Sequence, residues 1–130
     1  MSNKQNLSIK IMSFGYKYGM PQDVNFLQDV RFLPNPYYDA ELKEKTGLCA
    51  DVRAYVKNSA ESLEYISRLN SLCEFCAGRF ADTDKENFTI AIGCTGGRHR
   101  SVTVAVELGS YLQEKGYNVT MFHRDIQKDK

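Results

Sequence analysis

Residues 88–101, Phe-Thr-Ile-Ala-Ile-Gly-Cys-Thr-Gly-Gly-Arg-His-Arg-Ser, constrain this chain more than any other stretch. Phe88 to Ile92 is apolar on both faces, as a central strand covered by helices must be. It runs into the adjacent glycines Gly96 and Gly97, then into Arg98, His99 and Arg100. After them Val102, Ala105, Leu108 and Leu112 recur at helical spacing, with Gly116 as the stop. A strand, a glycine turn, a basic cluster and a helix together build an anion site. Glycine lets the backbone turn so that successive N–H groups face one concavity. The helix contributes unpaired first-turn donors and the positive end of its dipole. Arginine offers a forked donor pair that fits phosphate better than lysine does. The plainer alternative is a strand-to-helix turn carrying two solvated arginines.

The rest of the chain reads as alternating strands and helices. Leu7, Ile9 and Ile11 alternate with Ser8 and Lys10, which predicts a strand with one wetter face. It ends in the glycine-punctuated loop 14–19. Phe26 to Phe32 reads as a second strand, broken by Pro34 and Pro36. Residues 37–48 read as irregular with a short helix. Asn58, with Glu61 three residues on, marks a helix start, and Leu63, Ile66, Leu69, Leu72, Cys73, Cys76 and Phe80 form its expected buried stripe. Val119 to Phe122 is the last strand. The expected fold is an α/β layered domain, a mostly parallel central sheet flanked by helices. It takes residues 1–130 as a single domain, with a helical or frayed tail from about 124.

With 42% hydrophobic and 25% charged residues the chain reads as ordinary, soluble and globular. Seventeen basic against sixteen acidic residues predict no nucleic-acid partner from charge alone, so such a reading must rest on where the cations cluster. In an open α/β sheet ligands settle beyond the carboxyl ends of the strands. Those ends carry Tyr16-Lys17, Arg31, the 94–100 loop and His123-Arg124, which together make one positive pocket. No run approaches membrane-spanning length and no signal-type core opens the chain, so a cytoplasmic protein without a membrane partner is expected. Four cysteines without a small-scaffold spacing read as reduced thiols. Cys73-x-x-Cys76 lies inside a helical stripe with no second ligand pair, so it reads as core and not as metal site.

Several long motifs occur in order: Ser13-Phe14-Gly15-Tyr16-Lys17-Tyr18-Gly19, Asp29-Val30-Arg31-Phe32-Leu33-Pro34-Asn35-Pro36, Thr46-Gly47-Leu48, the run from Ala91 to Val102, and His123-Arg124-Asp125. In register they resemble the C-terminal domain of the RapZ/YvcJ family of bacterial RNase adapter proteins, from about Leu7 to the tail. The resemblance implies a domain that senses glucosamine-6-phosphate, binds small regulatory RNA, presents it to an endoribonuclease and works as a homo-oligomer. It implies a phosphosugar pocket at Thr95, Gly96, His99 and Arg100, extended by Gly97 of the same loop. Tyr37 stands where some relatives have histidine, and tyrosine donates a hydrogen bond but cannot become cationic. The candidate RNA contacts are Lys17, Arg98, Arg100 and Arg124, with Arg31, Asn35 and His123 supporting. Tyr16, Tyr18, Tyr37 and Tyr38 among these cations either stack on unpaired bases or pack a loop. Full-length relatives carry an N-terminal nucleotide-binding domain. No G-x-x-x-x-G-K-[ST] pattern occurs in these residues, so a stand-alone domain is expected, with neither ATP nor GTP hydrolysis and no cofactor. The tail is also less basic than in relatives.

One rival reading is enzymatic. Cys94 and Arg100 are spaced like the phosphate loop of cysteine-dependent phosphatases, with Ser101 following. A helix N-terminus would activate the thiol and Arg100 would clamp the phosphoryl oxygens. The usual histidine before the cysteine is Gly93 here, and the general acid would have to come from Asp29, Asp39 or Asp51. A binding domain without catalysis is the preferred expectation.

Overall fold

A computed structural model describes residues 4–128. Four strands, β1 (Ser8–Gly15), β2 (Phe26–Asp29), β3 (Asn87–Cys94) and β4 (Asn118–His123), form one sheet in the order β2-β3-β1-β4. All three pairings are parallel, so every strand ends at the same edge. Among the described residues three α-helices accompany them: α1 (Ala50–Val56), α2 (Ala60–Ala81) and α3 (Arg100–Glu114). The architecture is the α/β layered fold expected, with the sheet wholly parallel.

The connections β2-α1-α2-β3 and β3-α3-β4 step across the sheet in the same direction. Right-handed crossovers therefore put their helices on one face. That face holds Ile9 and Ile11 of β1 with Phe88, Ile90 and Ile92 of β3, all buried against Leu69, Cys73 and Ala77 of α2 and Ala105, Leu108 and Leu112 of α3. On the opposite face Thr89, Lys10 and Thr120 lie side by side in register, and Lys10 and Thr120 are exposed. This is the wetter face of β1. Its upper half is covered by the β1–β2 loop and not by an α-helix: Tyr16 packs edge-on against buried Phe14 at 4.9 Å.

Four local expectations change. α2 starts one residue later than the Asn58 reading, because the Ser59 hydroxyl accepts the Ser62 N–H at 3.0 Å. Its buried stripe is Ser62, Ile66, Leu69, Cys73, Ala77 and Ala81, whereas Leu63 and Leu72 are exposed. β2 stops at Asp29, since Arg31 and Phe32 already turn away. Finally, residues 124–128 form an ordered turn around a buried Asp125, while 129–130 lie outside the described residues. The four cysteines are free thiols, and burial pushes Cys73 up to about 12, so it is an inert core group. No helix among the described residues is long and apolar enough to cross a membrane.

Candidate functional site

The parallel register brings three strand ends together. Gly15 pairs with Cys94, and Asp29 with Gly93, so the loops leaving β1, β2 and β3 rise side by side. Between them lies a cavity of about 350 Å³. Its floor is Cys94, Thr95, Gly96, His99 and Arg100 from the β3–α3 loop. Its walls are Lys17 and Tyr18 from the first loop, Asn35, Tyr37 and Tyr38 from the second, and Arg98.

The floor is held open by a backbone that only glycine permits. Gly97 sits at φ +79°, and a Cβ there would lie 2.6 Å from the Gly15 nitrogen. The Cα face of Gly97 thus points inward, under the loop, so this predicted ligand residue would meet a ligand through its backbone N–H. None of the N–H groups from Gly96 to Arg100 has a backbone acceptor among the described residues. Arg100 begins α3 directly behind them, and the N-cap residue His99 makes no side-chain capping bond. A row of unused donors at a helix start is a phosphate-sized anion cradle.

Arg100 is 6% exposed, yet it has no carboxylate partner among the described residues. Its guanidinium donates to the carbonyls of Arg31 and Leu33 and, at 3.5 Å, to the Thr95 hydroxyl, and its Nε has no partner. Arg98 donates to the carbonyls of Ile126 and Glu44, both at 3.2 Å. Carbonyls position these two cations without neutralising them. His99 Nε2–H donates to the Lys43 carbonyl at 3.1 Å, which leaves Nδ1 as the acceptor in the neutral ring. Burial lowers the His99 pKa, and the backbone carbonyls beside it oppose that shift only in part.

The remaining predicted residues divide. Lys17, Asn35 and Tyr37 line the cavity, and the Asn35 side chain also accepts the Tyr37 N–H at 3.1 Å, fixing the second wall. Arg31 stands outside the lining. It forms a fork with Asp29 at 2.6 Å, lies 3.9 Å over the Tyr16 ring, and supports the site through its carbonyl on Arg100. Arg124 is also outside, paired with Asp125 and donating to the Tyr18 and Gly19 carbonyls. His123 hydrogen-bonds the Ser13 hydroxyl through Nδ1 at 2.7 Å, away from the cavity, and burial lowers its pKa. Cys94 Sγ lies 3.2 Å from the Ser101 hydroxyl and accepts the Ser101 N–H at 3.4 Å.

Asp125 is the site residue that pattern reading missed. It is fully buried, accepts the Gly15 N–H at 2.8 Å, and is paired with both Arg124 and Lys128. The final turn is thereby bolted beneath the loop that carries Lys17 and Tyr18. A polar tail sequence gives no periodic signal for a buried carboxylate, and its position after the His-Arg pair was the available hint.

A family model described as the RapZ C-terminal domain matches residues 7–127. The chain belongs to the RapZ C-terminal domain family. Relatives called nucleotide-binding proteins include one from Halothermothrix orenii, 47% identical over 125 residues covering 96% of this chain and 44% of the relative. Another, from Limosilactobacillus reuteri, is 50% identical over 122 residues, 94% of this chain and 42% of the relative. A third, from Caldicellulosiruptor bescii, is 48% identical over 127 residues, 98% of this chain and 44% of the relative. This RapZ C-terminal domain therefore spans less than half the length of these curated relatives.

Proposed function

We propose that this domain is a non-catalytic sensor that holds the phosphate of a glucosamine-6-phosphate-like amino sugar in the 95–100 cradle. One observation carries the reading: a buried arginine that bonds only neutral oxygens, with an unused Nε, beside a run of unused N–H groups. Phosphate supplies the acceptors and the charge that this arrangement lacks. The sugar ring would then rest between Asn35 and Tyr37. Lys17 and Arg98 at the rim suit RNA phosphates, so RNA and phosphosugar would compete for Arg98 and Arg100. Delivery of that RNA to an endoribonuclease, assembly as a homo-oligomer and work in the cytoplasm complete the proposal. The relatives' name would reach this chain through the same cradle, since phosphate is the part that nucleotides and phosphosugars share.

The lining of the cavity weighs against the phosphatase alternative. No carboxylate lines the cavity among the described residues. Asp29 is taken by Arg31, Asp51 by Lys45, and Asp39 accepts the Glu41 N–H.

Calorimetric titration of glucosamine-6-phosphate, with glucosamine and inorganic phosphate as controls, tests the reading. Saturable binding that needs both sugar and phosphate and vanishes in Arg100→Ala is expected. Thermal melts of the variant accompany it, because Arg100 also anchors two carbonyls. Cys94→Ser should bind as wild type does. Turnover of an aryl phosphate that Cys94→Ser abolishes would overturn the sensor reading in favour of the enzyme.

A further inference from the structure

We infer that the same cavity admits the phosphorylated end of a single-stranded RNA, with its terminal base stacked on Tyr38. The inference rests on the anion-cradle reading and says how RNA would engage it.

The floor is closed by buried groups, Cys94, His99 and Arg100. A strand running past would have to enter and leave over a closed floor, whereas a strand end needs only to enter. A terminal phosphomonoester also presents three free oxygens and a second negative charge, against two oxygens and one charge for an internal phosphodiester. The cradle, with several donors and the uncompensated Arg98 and Arg100, is matched to the former.

The rim supplies the second half. Tyr38 is 82% exposed, so its ring is not held there by packing against the domain. It meets Tyr37 edge-on at 5.7 Å, and Lys43 lies 4.6 Å over the Tyr37 ring. Across the cavity Lys17 and Lys128 lie 5.3 and 4.6 Å over the Tyr18 ring. An exposed ring next to lysine-flanked rings at the mouth of a phosphate cradle forms a stacking platform with an electrostatic entrance, the pairing that single-stranded nucleic acids exploit. A phosphosugar reaches the cradle and the inner wall but has no planar base to lay on Tyr38. Tyr38 thus distinguishes an RNA end from a sugar phosphate.

The test is fluorescence anisotropy with one short unstructured RNA in four forms: 5′-phosphate, 3′-phosphate, both ends hydroxyl, and circular. One phosphorylated end should bind about tenfold tighter than the hydroxyl and circular forms, and which end does so identifies the polarity. Tyr38→Ala should weaken the phosphorylated form about fivefold or more, the loss expected for one stacked base. Glucosamine-6-phosphate should displace the phosphorylated form. Equal affinity for all four forms, or an unchanged Tyr38→Ala, overturns the inference. If the sugar phosphate still binds by calorimetry in that case, only the end-recognition fails. If neither binds, the cradle reading fails with it.

Discussion

Replacing Asp125 by alanine takes a carboxylate away from three donors at once, and the structure sets the size of each loss. The Gly15 N–H is buried at the end of a central strand, 2.8 Å from Asp125, and would be left without an acceptor, at about 1–3 kcal/mol. The Arg124 pair is partly exposed at 2.9 Å and contributes about 1 kcal/mol. The Lys128 pair is nearly half exposed and contributes at most about 0.5 kcal/mol. The sum is about 2–4 kcal/mol, or a fall in Tm of about 8–15 °C for a chain of this size. Asp125→Asn keeps an oxygen for Gly15 and loses only the charge, so it should cost about half as much. Burial alone would raise the Asp125 pKa, but the bonds from Arg124, the Gly15 N–H and Lys128 outweigh it and hold it below the usual value of 3.8. The folded state therefore favours the ionised form. Its advantage over Asp125→Asn is fully present above the ordinary aspartate range and disappears as pH falls below it. Circular-dichroism melts of the three proteins at pH 7 and in acid measure both effects. An alanine variant within about 0.5 kcal/mol of wild type would refute the account. So would an asparagine variant as damaged as alanine, since the acceptor would then not matter.

Adjacent glycines in the loop should separate fold from ligand. Gly97→Ala puts a Cβ at positive φ and 2.6 Å from the Gly15 nitrogen, and should cost about 2–4 kcal/mol in urea unfolding. Gly96→Ala faces open space with nothing within 4 Å, so its stability should stay within about 0.5 kcal/mol while calorimetry shows weaker phosphosugar binding. His99 is held below its ordinary pKa by burial, so the folded protein resists its protonation. Stability contributed by the neutral ring is present above about pH 6.5 and is lost as pH falls through the folded value. Urea midpoints between pH 7.5 and 5.5 should fall less in His99→Gln than in wild type. His123→Asn should be run beside it, because burial lowers that pKa in the same direction.

What could be read from the sequence follows from where the signal is local. The β3–α3 segment was legible because an apolar run, a glycine pair and a helical period follow one another without a break. α1 was not, since seven residues starting at Ala50 are too few for a period and Cys49 gives no side-chain cap. The α2 stripe was misplaced for a different reason. Its buried stripe includes Ser62, Ala77 and Ala81, small residues with little apolar signal, while the bulkier Leu63 and Leu72 point outward. Hydropathy credits volume, which these buried positions lack. The site shows the same division. Thr95 to Arg100 are neighbours in sequence, whereas the wall from Asn35 to Tyr38 arrives through a parallel register that no single segment encodes.

A chain with a formal net charge of +1 can still hold a strongly positive site, and the ion pairs explain how. Arg31, Lys45, Lys57, Arg68, Arg79, Arg124 and Lys128 each sit against a carboxylate. Arg98 and Arg100 are oriented by backbone carbonyls. A carboxylate in the carbonyls' place would fix the same geometry but would cancel the charge and have to be displaced by ligand. Carbonyl anchoring avoids that competition. It holds the guanidiniums in place before the anion arrives, so binding need not immobilise them and loses less side-chain entropy. The cost is that the empty site keeps two adjacent cations, one of them buried, without a counter-charge. That cost is relieved only by an anion, so under the proposed function the cradle should take phosphate ahead of a neutral sugar of the same shape.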